Sequence, residues 1–310
     1  MMMKFSKLSW IFILALPLFF AACGNDDDAD PEPQSIVEIA AGDDQFSTLV
    51  DALTRVGLVS VLEGSGPFTV FAPTNDAFTA SGVDLSALTD EQLTEVLLYH
   101  VLGAEITSSA IQEGQTYTTT AANTAPGDNQ LSLLIEKTGS AVQLNGSVNV
   151  TTADVDATNG VIHIIDDVLL PLDVVGHAIA NSNFSSLVTT LGAASGDLVT
   201  TLQTAGPFTV FAPLNSAFDA ISATTATLDA DQLAKVLLYH VVSGNVRSTA
   251  LSNGQVVESL NDGLTFTVNI DGSVTITDAN GGTSTVILTD VQGTNGVIHV
   301  LDAVIIPSNL

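Results

Sequence analysis

The sequence predicts an α+β protein built from two copies of one unit, on three observations. A strand-like run that stops at a proline occurs twice, roughly 140 residues apart. Segments with helical apolar spacing and capping residues flank each occurrence. Each copy then closes in short alternating segments broken by glycine and asparagine. Helices gathered ahead of strands indicate α+β rather than a regular βα alternation.

The repeated run is Gly66-Pro67-Phe68-Thr69-Val70-Phe71-Ala72-Pro73-Thr74-Asn75-Asp76-Ala77-Phe78 and again Gly206-Pro207-Phe208-Thr209-Val210-Phe211-Ala212-Pro213-Leu214-Asn215-Ser216-Ala217-Phe218. Its β-branched and aromatic centre suits a buried pleated surface. Pro73 cannot donate to a ladder, so the strand is expected to end there, with Asn75 capping a helix that begins at Asp76. Phe46 matches Phe184, Gly160 matches Gly296 and Pro171 matches Pro307, which places the copies at residues 35–171 and 173–307. A period this long means tandem domains, and the near absence of a linker should restrict motion between them.

The elements follow in order. Ser35 and Glu38 fit a capping box, with Ile36, Ile39 and Ala40 at helical spacing. Phe46, Leu49, Val50 and Leu53 form a second stripe. Thr89 and Gln92 start a helix carrying Leu93, Val96, Leu97, His100 and Val101 on one face. Its second-copy counterpart starts at Asp229 and Gln232 and carries Leu233, Val236, Leu237, His240 and Val241. Asp173 is expected to cap the first helix of the second copy. Strands are expected over 115–120, 131–136, 141–144, 147–152 and 161–170, with Thr158-Asn159-Gly160 as the turn into the last.

Composition restricts partners. Six Lys+Arg stand against 34 Asp+Glu, so no basic patch exists to hold nucleic acid or an anionic lipid surface. Residues 1–22 have the form of a signal peptide: Lys4 and Lys7, an apolar core, then Ala21-Ala22. Phe20-Ala21-Ala22-Cys23 resembles the lipobox of bacterial lipoproteins, with Phe20 where leucine is usual. That resemblance implies cleavage before Cys23, the only cysteine, and its acylation with more than one chain, which makes anchoring stable. Residues 23–34 read as an acidic, proline-bearing disordered tether. Its acidic run resembles the surface-export signal of one group of bacterial lipoproteins. The expected address is therefore the cell envelope, anchored to the outer membrane and facing outward, with a periplasmic position as the alternative.

Three paired segments carry a further resemblance. They are the Gly-Pro-Phe run, the pairs Tyr99-His100 and Tyr239-His240, and Asn159-Gly160-Val161-Ile162-His163-Ile164-Ile165-Asp166 with its copy Asn295-Gly296-Val297-Ile298-His299-Val300-Leu301-Asp302. Together they resemble the fasciclin-type domain family across both copies. The resemblance implies a wedge-shaped, β-sandwich-like sheet with helices packed around it. It also implies adhesive work on an extracellular glycan, matrix component or cell-surface protein, with no catalytic site and no cofactor. The paired Tyr99, His100, His163, Asp166, Tyr239, His240, His299 and Asp302 are then structural motif residues.

The residues themselves allow a chemical alternative, since two histidines and an aspartate per copy are metal-ligand and acid-base types. His100 and His163 lie too far apart in sequence for a short-spacing metal motif, and a buried hydrogen bond at each is the expectation. His177, opposite Ile39 of the first copy, is expected to be a partly exposed helix residue at the domain junction. Asp154-Val155-Asp156-Ala157-Thr158-Asn159-Gly160 departs from a calcium loop in its glycine position and in Ile165 where a glutamate should stand. No nucleophile elbow, phosphate loop or His-Glu-x-x-His occurs. The phenylalanines beyond the leader pair between copies except Phe266, so no aromatic platform is expected. Specificity is expected in loops 118–130 and 259–263, with Pro126-Gly127-Asp128-Asn129 an exposed tip and Gly281-Gly282 a flexible one. The reading is a lipid-anchored adhesion protein. The alternative is a periplasmic structural or ligand-binding lipoprotein without adhesive work.

Overall fold

Reciprocal caps set the helix starts. The Ser35 hydroxyl accepts from the Glu38 amide while the Glu38 carboxylate accepts from the Ser35 amide, and α1 runs Ile36–Ala41. A 3-10 turn, Asp44–Phe46, leads into α2 (Ser47–Arg55), burying Phe46, Leu49 and Leu53. Then come α3 (Val59–Leu62), β1 (Phe68–Pro73), α4 (Asn75–Ser81) and α5 (Asp90–Tyr99), the last opened by the Thr89/Gln92 box. The strands β2 (Val101–Leu102), β3 (Gly114–Thr119), β4 (Ser132–Thr138), β5 (Ala141–Leu144), β6 (Val148–Ala157) and β7 (Gly160–Ile165) complete the first copy.

The second copy repeats this order. It holds α6 (Val174–Ala180), α7 (Ser185–Ala193), α8 (Leu198–Thr204), β8 (Phe208–Pro213), α9 (Asn215–Ala220), α10 (Ser222–Thr225) and α11 (Ala230–Tyr239). The strands β9 (Val241–Ser243), β10 (Gln255–Glu258), β11 (Thr265–Asp271), β12 (Ser273–Thr277), β13 (Thr283–Gly293) and β14 (Gly296–Leu301) follow. This computed structural model describes residues 32–204 and 206–310. The leader, Cys23 and most of the acidic tether lie outside them.

Each copy builds one seven-stranded sheet, in the orders β2-β1-β7-β6-β5-β4-β3 and β10-β11-β12-β13-β14-β8-β9. The repeated run is central: β1 pairs β7 in parallel, Phe71 opposite His163, and β8 pairs β14 with Phe211 opposite His299. Alternation along β1 sorts two cores. Val70 and Ala72 join Leu49, Leu53 and Leu97 under the helices. Phe71 turns the other way, against Leu133, Ile135 and Leu144 of β4 and β5. The bulged β6 pairs β7 along its length but β5 only near its start, which lets the sheet fold back on itself. This is the α+β, sandwich-like arrangement. Burying a side chain such as Phe71 contributes about 1.5–3 kcal/mol, so each copy has two sizeable cores.

Some local expectations change. The helix α4 begins at Asn75 itself, and its cap is Thr74, whose hydroxyl accepts from the Ala77 amide at 3.2 Å. Asn75 instead reaches sideways: its carbonyl accepts from the Thr48 amide at 2.9 Å and its amide donates to Asp44 and Ser47. The second copy shows why the cap is dispensable, because Leu214 stands there without a side-chain cap while Asn215 keeps the same sideways bonds to Ser186 and Ser182. The helix α5 stops at Tyr99, so His100 is its C-cap and Val101 already belongs to β2. The last strand of the first copy ends at Ile165, short of 170. The Gly281-Gly282 tip is a turn held by the buried Asp278 carboxylate, which accepts from the Gly282 and Asn280 amides.

Residues 34–310 form one compact unit. The outer face of β3 packs on α6 and the turn after it, through Tyr117 on His177 and Gln115 on Asn183, and β4 meets β13: the Ser132 hydroxyl accepts from the Gln292 amide at 2.9 Å, and Leu134 is fully buried.

Candidate functional site

The motif residues sit where β1, β7 and α5 meet. His100 ends α5, donates from Nδ1 to the Val96 carbonyl at 2.7 Å and accepts at Nε2 from the Leu169 amide at 2.9 Å. His240 makes the same pair with Val236 and Ile305. Burial disfavours the imidazolium and holds both pKa values down at about 4. Both ring nitrogens of each are committed to backbone. Tyr99 is fully buried, donates to the Ser132 carbonyl at 2.8 Å and accepts from Asn145 at 3.0 Å; burial lifts its pKa well above the tyrosine range. Tyr239 donates to Thr265 and accepts from the Ala279 amide.

His163 lies on β7 with its ring stacked on Phe71, centroids 5.5 Å apart. Its Nε2 donates to the Ile106 carbonyl at 2.8 Å and its Nδ1 accepts from the Asp154 amide at 3.2 Å. The Asp154 carboxylate in turn takes the Ser108 amide and hydroxyl. His299, Asp290 and Ser248 repeat the set, with Arg247 added 3.8 Å from Asp290. Slight burial works to raise the Asp154 pKa, but the two Ser108 bonds outweigh it, with His163 and Lys137 adding, and the carboxyl lies below its ordinary range. This Ser-Asp-His trio is wired differently from a nucleophile's triad, where serine must bond to histidine. Here serine bonds to aspartate, and the histidine's other nitrogen is spent on a carbonyl.

Sequence reasoning missed Asp154 and Asp290 as a pair. Both sit at the strand bulge with positive φ, at 60° and 62°. Their signal was available: they are separated by the same interval as His163 and His299. Asp166, by contrast, stands at the exposed end of β7 and clasps the Asn149 amide and side chain, while Asp302 clasps Thr285. The structure therefore does not bring His100, His163 and Asp166 to one point. Among the described residues no group of three or more His, Cys, Asp or Glu side chains is placed to hold a metal.

The Asn-Gly turns are fasteners. The Asn159 side chain accepts from the Ile36 amide and donates to the Leu62 and Gly64 carbonyls, binding α1, α3 and the turn together. Gly160 must be glycine, since a Cβ there would lie 2.0 Å from the Phe68 carbonyl oxygen.

The junction of the copies changes two expectations. His177 is fully buried, not partly exposed, because Tyr117 of β3 packs edge-on against it with centroids 5.7 Å apart. Among the described residues neither of its ring nitrogens has a hydrogen-bond partner. Burial brings its pKa to about 4 against a weaker opposing pull from the Gln292 backbone, which does not reach hydrogen-bond geometry. Around it Asn181 donates to the Tyr117 hydroxyl at 3.1 Å and Asn183 to Gln115 at 2.7 Å. The Pro126-Gly127-Asp128-Asn129 tip is likewise no free tip. Asn245 donates to the Pro126 carbonyl at 3.0 Å and Arg247 to the Asn129 side chain at 2.9 Å, so that of these four residues only Gly127 and Asp128 remain exposed. In the other expected loop, Ser259 and Asn261 are buried and the latter pairs with Asn309.

Comparison with known families decides the assignment: the model of the Fasciclin domain matches residues 44–171 and again 182–307. The chain belongs to the fasciclin domain family. Protein sll1483 of Synechocystis sp. is 43% identical over 148 residues, 46% of this fasciclin chain and 77% of that protein. Human periostin is 30% identical over 283 residues, 88% of this chain but 31% of periostin. Transforming growth factor-beta-induced protein ig-h3 of Sus scrofa is 28% identical over 256 residues, 80% of this chain and 36% of that protein. The chain thus spans about a third of these two animal relatives. The solved FAS1 domain pair from the insect cell adhesion molecule fasciclin I superposes with a TM-score of 0.51 at 21% identity, covering 84% of this chain and 96% of that one. That likeness concerns fold: two fasciclin domains in tandem.

Proposed function

We propose that this fasciclin pair is a lipid-anchored, extracytoplasmic adhesion protein that binds an extracellular glycan, matrix component or cell-surface protein without catalysis. The observation that carries the reading is the family match over both copies, joined to the way the motif polar groups are spent. His100, His163, His240 and His299 each have both ring nitrogens bonded within the fold, so none of these four rings is free to act as an acid or base. Adhesion asks only for a stable, displayed surface. The relatives named above include one described as a cell adhesion molecule, and the acid-rich composition suits neutral or cationic partners.

Deletion of residues 35–310 tests it. The expected result is reduced surface attachment or cell-cell cohesion; unchanged attachment and cohesion across surfaces and salts would contradict adhesion. Cys23→Ala should release the protein from the membrane fraction and abolish labelling by a radioactive fatty acid. Protease treatment of whole cells checks the outward orientation, since a protein that survives intact faces the periplasm.

A further inference from the structure

Among the exposed positions where the two copies differ, one lies beside the motif strands. Where the first copy has Thr151 and Thr152 on the bulge of β6, the second has Ile287 and Leu288 on β13, 52% and 42% exposed. The register fixes the correspondence, since Thr152 pairs with Ile164 and Leu288 with Val300, each next to its motif histidine. These aliphatics form one wall of a cleft of about 280 Å³ between the copies. Tyr117, Gln115, Asn183 and Phe184 line it too.

The lining holds no charged side chain. Its polar wall is largely satisfied internally: Gln115 bonds Asn183, Ser182 and Glu136, while Asn181 bonds Tyr117. What remains open is more apolar than polar, with room for at least one side chain. Carboxylates stand beside it. Glu136 bonds Gln115 at 2.9 Å, and Asp302 takes the amide of Thr285, two residues before Ile287. The chain as a whole carries a formal charge of −28. An apolar slot in an acidic field selects for an apolar anchor with cationic neighbours.

Resting on the adhesion reading, we propose that this inter-copy cleft is the docking site for a basic protein segment that inserts one aromatic or branched aliphatic side chain against Ile287 and Leu288. Neutral sugar is the disfavoured occupant, because the amides that line the cleft are already engaged and the Tyr117 ring is packed against His177.

The test uses methyl NMR of the purified full chain with three probes: the amidated peptides Lys-Lys-Phe-Lys-Lys and Lys-Lys-Ser-Lys-Lys, and methyl β-glucoside. The phenylalanine peptide should shift the Ile287 and Leu288 methyl signals saturably, at least tenfold tighter than the serine peptide. The double variant Ile287→Thr/Leu288→Thr, which reproduces the first copy's residues at exposed positions, should lose that preference while melting as the parent does. Equal binding of the two peptides, or glucoside shifting these methyls where the phenylalanine peptide does not, overturns the proposal. On cells, full attachment by the double variant beside lost attachment on deleting residues 35–310 overturns the cleft but keeps adhesion. Loss in both supports the cleft, and no loss on deletion strikes the adhesion reading itself.

Discussion

The outer face of β4 in the first copy and that of β11 in the second occupy the same place in the fold and meet different fates. Tyr99 reaches the Ser132 carbonyl and Tyr239 the Thr265 carbonyl, which aligns Leu134 with Thr267 and their cross-strand partners Tyr117 and Val256. Leu134 is fully buried on the face whose neighbours Tyr117 and Ser132 meet His177 and Gln292 of the second copy; Val256 is 64% exposed. The inward faces of both strands are equally apolar, with Leu133 and Ile135 in one and Phe266 and Val268 in the other. Folding each copy therefore depends on the inward alternation, while joining the copies depends on what stands on the outward one. A leucine and a tyrosine make an interface where a threonine and a valine leave a solvated face.

The strongest way to break that contrast is Leu134→Asp. It buries an unpaired carboxylate between the copies and should cost about 4 kcal/mol by denaturant unfolding. Thr267→Asp, at the equivalent half-exposed place, should cost under about 0.5 kcal/mol.

Next in size is a pH effect at His177, which faces Tyr117 where the first copy has Ile39 in the equivalent position. Its folded pKa of about 4 lies below the ordinary histidine value, so the unfolded chain takes up the proton first as pH falls. Stability from this group is full above pH ~6.5, declines towards pH ~4 and is flat below. His100 and His240 act in the same direction. His177→Leu should therefore flatten the decline between pH 6.5 and 5 by about 2 kcal/mol, read in 1 M salt so that relief of carboxylate repulsion is screened. An unchanged slope would mean His177 gains a partner in solution. Tyr117→Phe removes the acceptor of Asn181 and should cost about 1 kcal/mol by the same unfolding measurement. Smallest is Val256→Ala, expected within about 0.5 kcal/mol.

These positions also mark how far the sequence could be read. The repeat, the capping boxes at Ser35, Thr89 and Asp229, and the turn at Asn159-Gly160 were legible because each is a local signal. Asn75 was misplaced as a cap because its residue type suits both roles, and only the approach of α2 shows that its side chain is used elsewhere. The burial of His177 and the docking of Pro126 and Asn129 depend on the other copy, which no periodicity within either segment encodes. The Asp154 bulge was legible only as spacing, since its positive φ and its bond to Ser108 come from a loop 46 residues away.

Calorimetric unfolding of the chain at neutral pH tests most directly whether the two fasciclin domains act as one body. One transition, with calorimetric and van 't Hoff enthalpies equal for the whole pair, is the predicted result, and Leu134→Asp should split it in two. Two separate transitions in the parent protein, each with the enthalpy of a single copy, would contradict the account.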